Sequence, residues 1–392
     1  MRIFWNELKK LLNWRLLLIL AVFTGLYYFM FLNFYLIDYP TTGHPRAESV
    51  ELGRRMAVKY GPSLDTAEQK TFESVDYPAL KAAANRELAE MREFRDAKIT
   101  TVDAFDALRE ETDDASQKLS NRLSDVWNKR ISNRPDAVFL YQAARDEVIS
   151  EIDTLRKTTP QERVSSELSG TQRERIFTVE TRRSEQGIPI LPWPTQGIWG
   201  YLQNYFLTLL LVTAAVLVSP YLVGERRSGV HGIAYASRKG RPLLRAQFGA
   251  ALVAAALAET AQFAVFFAAF FLGPHRVDRL FFGADVSNGC WFDVTFGQYI
   301  AGSCAILFLL AFAFAMVSFA VSKICKNYIA VLAAQIPLTF LAAKLGGSVL
   351  SNPLTVYRSP YFMPLACVLC AAVPLAVCLF LIWRERRTDF AE

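Results

Sequence analysis

Histidine is almost missing from this chain of 392 residues: only His44, His231 and His275 occur, far apart. With no H-E-x-x-H pair and no Cys/His ligand spacing, a zinc-type centre has nothing to draw on. The sequence also lacks G-x-x-x-x-G-K-[ST], G-x-G-x-x-G and G-x-S-x-G. That excludes ATP held in the usual backbone cradle, the dinucleotide fingerprint and the nucleophile elbow. None of the six cysteines falls between residues 38 and 197, so no disulfide framework supports that stretch. Cys290 stands alone in a short loop, and Cys304, Cys325, Cys367, Cys370 and Cys378 lie in or beside apolar runs. Cys367-x-x-Cys370 would suggest redox chemistry in water; inside an apolar run it reads as two small core side chains.

Charge is scarce too, at 20% against 52% hydrophobic residues, and it is unevenly placed. Residues 38–195 hold 24 basic and 28 acidic residues, net −4, leaving 19 basic and 9 acidic elsewhere, net +10. The overall +6 is therefore no nucleic-acid signature; the basic excess sits at the edges of apolar runs.

Those runs are what the sequence has in plenty. About 20 apolar residues of helix cross a bilayer's hydrocarbon core. Leu16–Ile37, Ile198–Val223, Ala246–Leu272, Tyr299–Ser322 and Tyr361–Trp383 meet that length; Tyr328–Ala343 is shorter and contains Pro337. The first run is too long for a signal-peptide core and no small-residue cleavage site follows it, so it reads as a retained anchor. The short fifth run could be re-entrant, and charge decides against that. Arg2, Lys9, Lys10, Arg15, the six basic residues from Arg226 to Arg245, Lys323, Lys326, Arg384, Arg386 and Arg387 fall on one set of ends. Only Arg276, Arg279, Lys344 and Arg358 fall on the other. Basic ends belong in the cytoplasm, and the pattern is consistent only if the fifth run crosses.

The expected fold is an all-α integral membrane protein in the plasma membrane of a bacterium, multi-pass, with both termini cytoplasmic. Residues 1–14 read as a flat interfacial helix, apolar at Ile3, Phe4, Leu8, Leu11 and Leu12 and polar at Asn6, Glu7, Lys9, Lys10 and Asn13. Residues 15–37 form the first span, 38–197 an extracellular helical domain, 198–387 spans two to six, and 388–392 a cytoplasmic tail. Trp14, Tyr35, Tyr39, Trp193, Trp199, Tyr201, Tyr205 and Trp383 fall at the predicted interfaces, where amphipathic rings prefer to sit.

In the inserted domain, Phe105, Leu108, Ala115, Leu119 and Val126 form one heptad-like stripe. Val138, Tyr141, Val148, Ile152 and Leu155 form another, broken by Arg145. Asn133-Arg134-Pro135-Asp136 separates the two, and Thr159-Pro160-Gln161-Glu162 is a capping box that predicts a new helix. Residues 40–74 show little periodicity. The run from Ile188 to Pro194 predicts a stiff extended approach to the membrane. Narrow stripes need partners, so an antiparallel bundle is expected, with or without a coiled-coil portion. Its interleaved charges read as a solvated face and not as a catalytic constellation.

The loop at 224–245 is basic at both ends and apolar at Ile233, Ala234 and Tyr235. From its residues alone it is either a short helix that docks in a partner's groove or a turn that only fixes topology. Glu225, Gly229 four residues on, the stretch Ile233–Ala236 and Ser237-Arg238 resemble the first cytoplasmic loop of type-2 ABC exporter permeases. The interfacial helix, six spans and internal termini resemble that family as well. The large inserted domain departs from its compact members, so their cargo cannot be carried over.

That resemblance implies a dimeric permease, homodimeric or paired, with no cofactor on this chain. ATP and Mg would sit on a separate ABC ATPase subunit, and the other partner is the lipid bilayer, with no nucleic acid. The loop would be the coupling helix, docking through Glu225, Arg226, Arg227, Gly229, Ile233, Tyr235, Arg238 and Arg241. Short helices in Lys344–Pro360 would fit the family's outer side. Three polar residues lie inside spans, Glu259, Gln262 and Gln335, where a carboxylate costs at least about 2.5 kcal/mol and must face protein or water. They either line a substrate path or dimer seam, or bond across helices without a role in transport. Gln203 and Asn204 read as interfacial. The rival readings are a membrane-anchored sensor or assembly protein acting through its inserted domain, and an ion channel, against which the lack of a repeated polar stripe speaks.

Overall fold

The computed structural model describes residues 2–38, 47–130, 137–227, 243–286, 290–351 and 355–387. It opens with α1 (Arg2–Leu11), then turns at Asn13, whose side chain accepts from the Arg15 amide at 3.0 Å to start α2 (Trp14–Tyr27). Two wider π turns, Tyr28–Leu32 and Phe34–Asp38, carry α2 on. Leu8 and Leu11 of α1 are buried as their spacing predicts, but so is Glu7, which the same spacing puts on the polar face.

The insert contains α3 (Ala47–Tyr60), β1 (Ser63–Leu64), α4 (Thr66–Thr71), α5 (Tyr77–Glu90), α6 (Arg92–Asp96), α7 (Val102–Glu110), α8 (Asp114–Arg130), α9 (Ala137–Ala143), α10 (Ser150–Lys157), α11 (Gly170–Gln186) and β2 (Ile188–Pro189). It is built around two cores. In the distal one, Phe94, Phe105, Trp127 and Phe139 interlock, with Phe105 stacked on Trp127 at 5.1 Å and Phe139 edge-on to it at 5.2 Å. The proximal one, including Leu52, Met56, Phe72, Val148 and Ile152, runs without a break into the core of the spans. The proximal part of the insert is thus packed onto the membrane bundle.

Some expectations for the insert hold and others need correction. The first stripe breaks at residues 111–113 into α7 and α8. On α8 the apolar side chains Leu123 and Trp127 are buried, while Ala115 is exposed, because the break resets the helical phase. The second stripe stays inward from Val138 to Ile152, and Arg145 is accommodated by ion pairs to Asp106 and Asp146. The capping box forms, Glu162 accepting from the Thr159 amide at 2.7 Å, yet only a turn follows; the next helix starts at Gly170 behind a second box, Ser169 with Gln172. One cap cannot offset helix nucleation without an apolar face to bury, and Val164-Ser165-Ser166 offers none. The unperiodic stretch 40–74 contains the 14-residue α3. Ile188–Pro189 is extended because it pairs antiparallel with Ser63–Leu64. The proposed stop at 133–136 lies outside the described residues.

The remaining spans are α12 (Trp193–Val218), α14 (Leu243–Leu272), α15 (Phe296–Ile324), α16 (Tyr328–Leu350) and α17 (Phe362–Arg387), with the short α13 (Tyr221–Arg227) continuing α12 beyond Pro220. A 3-10 helix, Pro274–Phe281, follows α14. With α2, six helices among the described residues are long and apolar enough to cross a membrane, and the chain is a multi-pass membrane protein. The fifth run is no short segment: α16 continues through Pro337 for 23 residues, and residues 344–350 are its last turns, not a separate helix. Successive spans alternate in direction, as cross-links at each end show. Gln203 meets the Leu350 carbonyl at the insert end, while Arg226 meets Ser322 and Lys323 meets Glu385 at the other.

Burial ranks the spans. In their most apolar windows α12 is 72% and α15 67% buried, against 11% for α2 and for α17, so α12 and α15 form the centre. Phe206 stacks on Phe266 at 4.4 Å and meets Phe263 edge-on at 4.9 Å, locking α12 to α14. Trp14, Trp193, Tyr201 and Trp383 point outward as the belt reading predicts. Trp199 does not: it is buried against Phe266 and Phe270. Gln203, read as interfacial, is likewise buried.

Candidate functional site: the base of the 224–245 loop

The loop itself begins where description stops: Gly229, Ile233, Tyr235, Arg238 and Arg241 lie outside the described residues. Its base is well defined. The Leu222 amide donates to Ser322 Oγ at 3.1 Å, seating α13 on the end of α15. Arg226 then donates to the carbonyls of Ser322, Lys323 and Cys325 at 2.7, 2.6 and 2.7 Å. These are the carbonyls a helix leaves unpaired at its C-terminus, where the dipole also favours a cation.

Glu225 turns the opposite way. It accepts from Lys10 Nζ at 2.6 Å and from the side chain of Gln247 at the start of α14, and its side chain is only 12% exposed. Lys10 also donates to Glu7 at 2.7 Å, and the Tyr221 hydroxyl donates to Glu7. Burial tends to lower the Lys10 pKa, but hydrogen bonds to Glu225 and then Glu7 outweigh it and hold the ammonium above its ordinary value. Among the described residues Lys10 thus serves both carboxylates, with Tyr221 and Gln247 as neutral donors. Beside this knot Lys323 pairs with Glu385 of α17 at 2.5 Å. Five elements (α1, α13, α14, α15 and α17) are therefore tied together where the loop leaves the bundle.

Of the described candidates, Glu225 and Arg226 are turned into the chain and Arg227 is exposed. Sequence reasoning missed Glu7, Lys10, Tyr221 and Gln247. The available signal was the Glu7–Lys10 spacing of three, which pairs side chains on one helical face.

The intramembrane candidates separate into two groups. The Gln262 amide donates to Thr213 Oγ1 at 2.6 Å and Thr24 Oγ1 at 3.2 Å, joining α14, α12 and α2, and Glu259 lies one turn away, wholly buried. Gln335 donates to Ser318 Oγ at 2.8 Å, joining α16 and α15. Gln335 also lines an open apolar groove of about 460 Å³ between α12 and α16, formed by Val212 and Val216 with the exposed Leu332, Ile336 and Phe340.

At the insert end, α11 grips both neighbouring loops. Asp293 accepts from Arg175 at 2.6 Å and Arg182 at 2.7 Å, Arg175 Nε donates to the Cys290 carbonyl at 2.9 Å, and Gln172 donates to the Val356 carbonyl at 2.8 Å. The loops join each other through Trp291 Nε1 donating to the Arg358 carbonyl at 2.7 Å. His275 lies with Nε2 2.7 Å from the Tyr35 carbonyl and Nδ1 2.9 Å from Asp278, whose carboxyl is pushed up by burial and pulled back by His275. Among the described residues no three His, Cys, Asp or Glu side chains come together as a metal site. Comparison with known protein families, curated proteins and solved structures finds no match.

Proposed function

We propose that this chain is the permease subunit of an ATP-driven exporter, dimeric, with ATP and Mg bound on a separate ABC ATPase. The observation that carries the reading is the braced base of the 224–245 loop. A docking loop can move spans only if force on it reaches them, and Glu225 and Arg226 tie its root to α1, α14 and α15. Glu225 and Arg226 then act by positioning, while Gly229, Ile233, Tyr235, Arg238 and Arg241 meet the ATPase, with Arg227 at the margin. The ATPase must bind two packed states of the spans with different affinity, since equal affinity shifts nothing. The open groove beside Gln335 suits an apolar partner, a cargo body or a lipid chain. In this reading the loop and both termini face the cytoplasm, α1 lies in the interface, and the insert stands outside a bacterial plasma membrane, where it contacts cargo or gates the exit.

The test is purification from the native membrane in mild detergent. A stoichiometric partner carrying a phosphate loop, lost when Ile233 and Tyr235 are both changed to Asp, supports the exporter. The seating of α11 on the loops around Asp293 and Val356 favours one alternative, a sensor that passes a signal from insert to spans. A chain that copurifies only with a non-ATPase bound through residues 38–197 would replace the exporter reading with that one.

A further inference from the structure

Glu259 is in an unusual position for a carboxylate. It is 0% exposed, and neither of its oxygens has a hydrogen-bond partner among the described residues. Gln262, one turn on along the same face and 7% exposed, has spent its amide hydrogens on Thr24 and Thr213, and its Oε1 too is without a partner. Three buried acceptor oxygens therefore lie within one turn of α14, with no donor of their own.

The neighbouring helices supply no counter-charge. Residues 16–37, 194–220 and 296–322, which include the stretches of α2, α12 and α15 packed against α14, contain no Asp, Glu, Lys, Arg or His. Their titratable groups are tyrosines and Cys304. On α14 itself the other ionisable side chain is Arg245, exposed near its start, and α1 packs Phe4 beside Gly249 near that end, with Lys10 engaged by Glu7 and Glu225. At the far end, His275 and Asp278 answer each other, and Arg276 and Arg279 lie beyond the span. An ionised carboxylate sealed in this way is cut off from bulk solvent and has no cation on the neighbouring spans to stabilise it.

We propose that Glu259 is a proton-binding site in the middle of the membrane, occupied while the first three spans are packed together and emptied only when they part and admit water. The bound proton neutralises Glu259, so that a side chain with no counter-charge can stay sealed one turn from the amide that joins α2, α12 and α14. Release transfers that proton to water and leaves a carboxylate that resists re-sealing. The site needs no nucleotide and is independent of the exporter reading.

Infrared spectroscopy of the full chain in lipid nanodiscs tests this directly. At neutral pH the wild type should show the C=O band of about one protonated carboxylic acid per chain, absent in Glu259→Gln, with slow deuterium exchange. If Glu259→Gln does not accumulate, Glu259→Asp with isotope-labelled aspartate should move the band onto the new label. A wild-type chain with no such band at neutral pH, a band unmoved by either substitution, or one that deuterates as fast as surface groups would each overturn the proposal.

Discussion

Arg175 and Asp293 are 118 positions apart in sequence, yet their side chains meet at 2.6 Å and join the last helix of the insert to the loop before the fourth span. Hydrogen bonds from Arg182 and Arg175 hold the Asp293 carboxyl down at about 2. A carboxylate with a lowered folded pKa stabilises the fold above its unfolded value, about 3.9, and loses that contribution as pH falls through the folded one. Seating of α11 should therefore be insensitive to pH near neutrality and weaken between about pH 4 and 2. Hydrogen exchange of residues 290–296 across that range measures it. Asp293→Asn should raise exchange there at neutral pH by an amount equivalent to about 1 kcal/mol or less, since the carboxylate is 41% exposed and solvent-screened.

Gly187 sits at φ +101°, where a Cβ would lie 2.2 Å from the Leu64 carbonyl oxygen. Both the backbone and the space require glycine. Gly187→Ala should cost about 1–3 kcal/mol and open the pairing of β1 with β2. Faster amide exchange at Ile190, whose N–H donates to the Pro62 carbonyl at 2.9 Å, would report it; unchanged protection would refute it.

Trp127 is the hub of the distal aromatic core, touching Phe94, Phe105 and Phe139. Trp127→Ala should cost about 3–5 kcal/mol and loosen α5 to α8 first. The proximal half of the insert shares its core with the spans and should stay protected. Limited proteolysis should then cut within α7–α8 and spare α3 and α11.

Lys10 and Glu225 invite a charge swap. Glu225→Lys alone sets two ammonium groups against Glu7, and Lys10→Glu alone crowds three carboxylates. Each should weaken the base of the loop, and the double exchange should recover most of the loss. The coupling should be about 1 kcal/mol, because Lys10 is 45% exposed. Thermal unfolding in nanodiscs of the two single variants and the swap measures it; strictly additive losses would show that the pair is not coupled. Under the exporter reading, copurification of the ATPase should follow the same order.

Much of this architecture was legible in one dimension. Apolar length and the asymmetry of Lys and Arg are sums along the chain, so the number of spans, the place of the insert and the crossing by the fifth run could be read from composition. So could the odd polarity of Glu259, Gln262 and Gln335, because a charged or amide group inside an apolar run stands out whatever surrounds it.

What surrounds it was settled only by packing. Glu7 reads as a solvated residue until Tyr221 and Lys10 close over it, and Glu225 reads as a docking anchor until Lys10, 215 positions away, turns it inward. The stripe at Phe105–Val126 broke where a turn reset its phase, and Thr159–Glu162 capped a helix that never grew. In each case local pattern and tertiary burial compete, and burial involves the larger free energy. Sequence alone therefore determined which segments leave water. The fold decided which polar groups go with them, because that depends on partners brought together from distant parts of the chain.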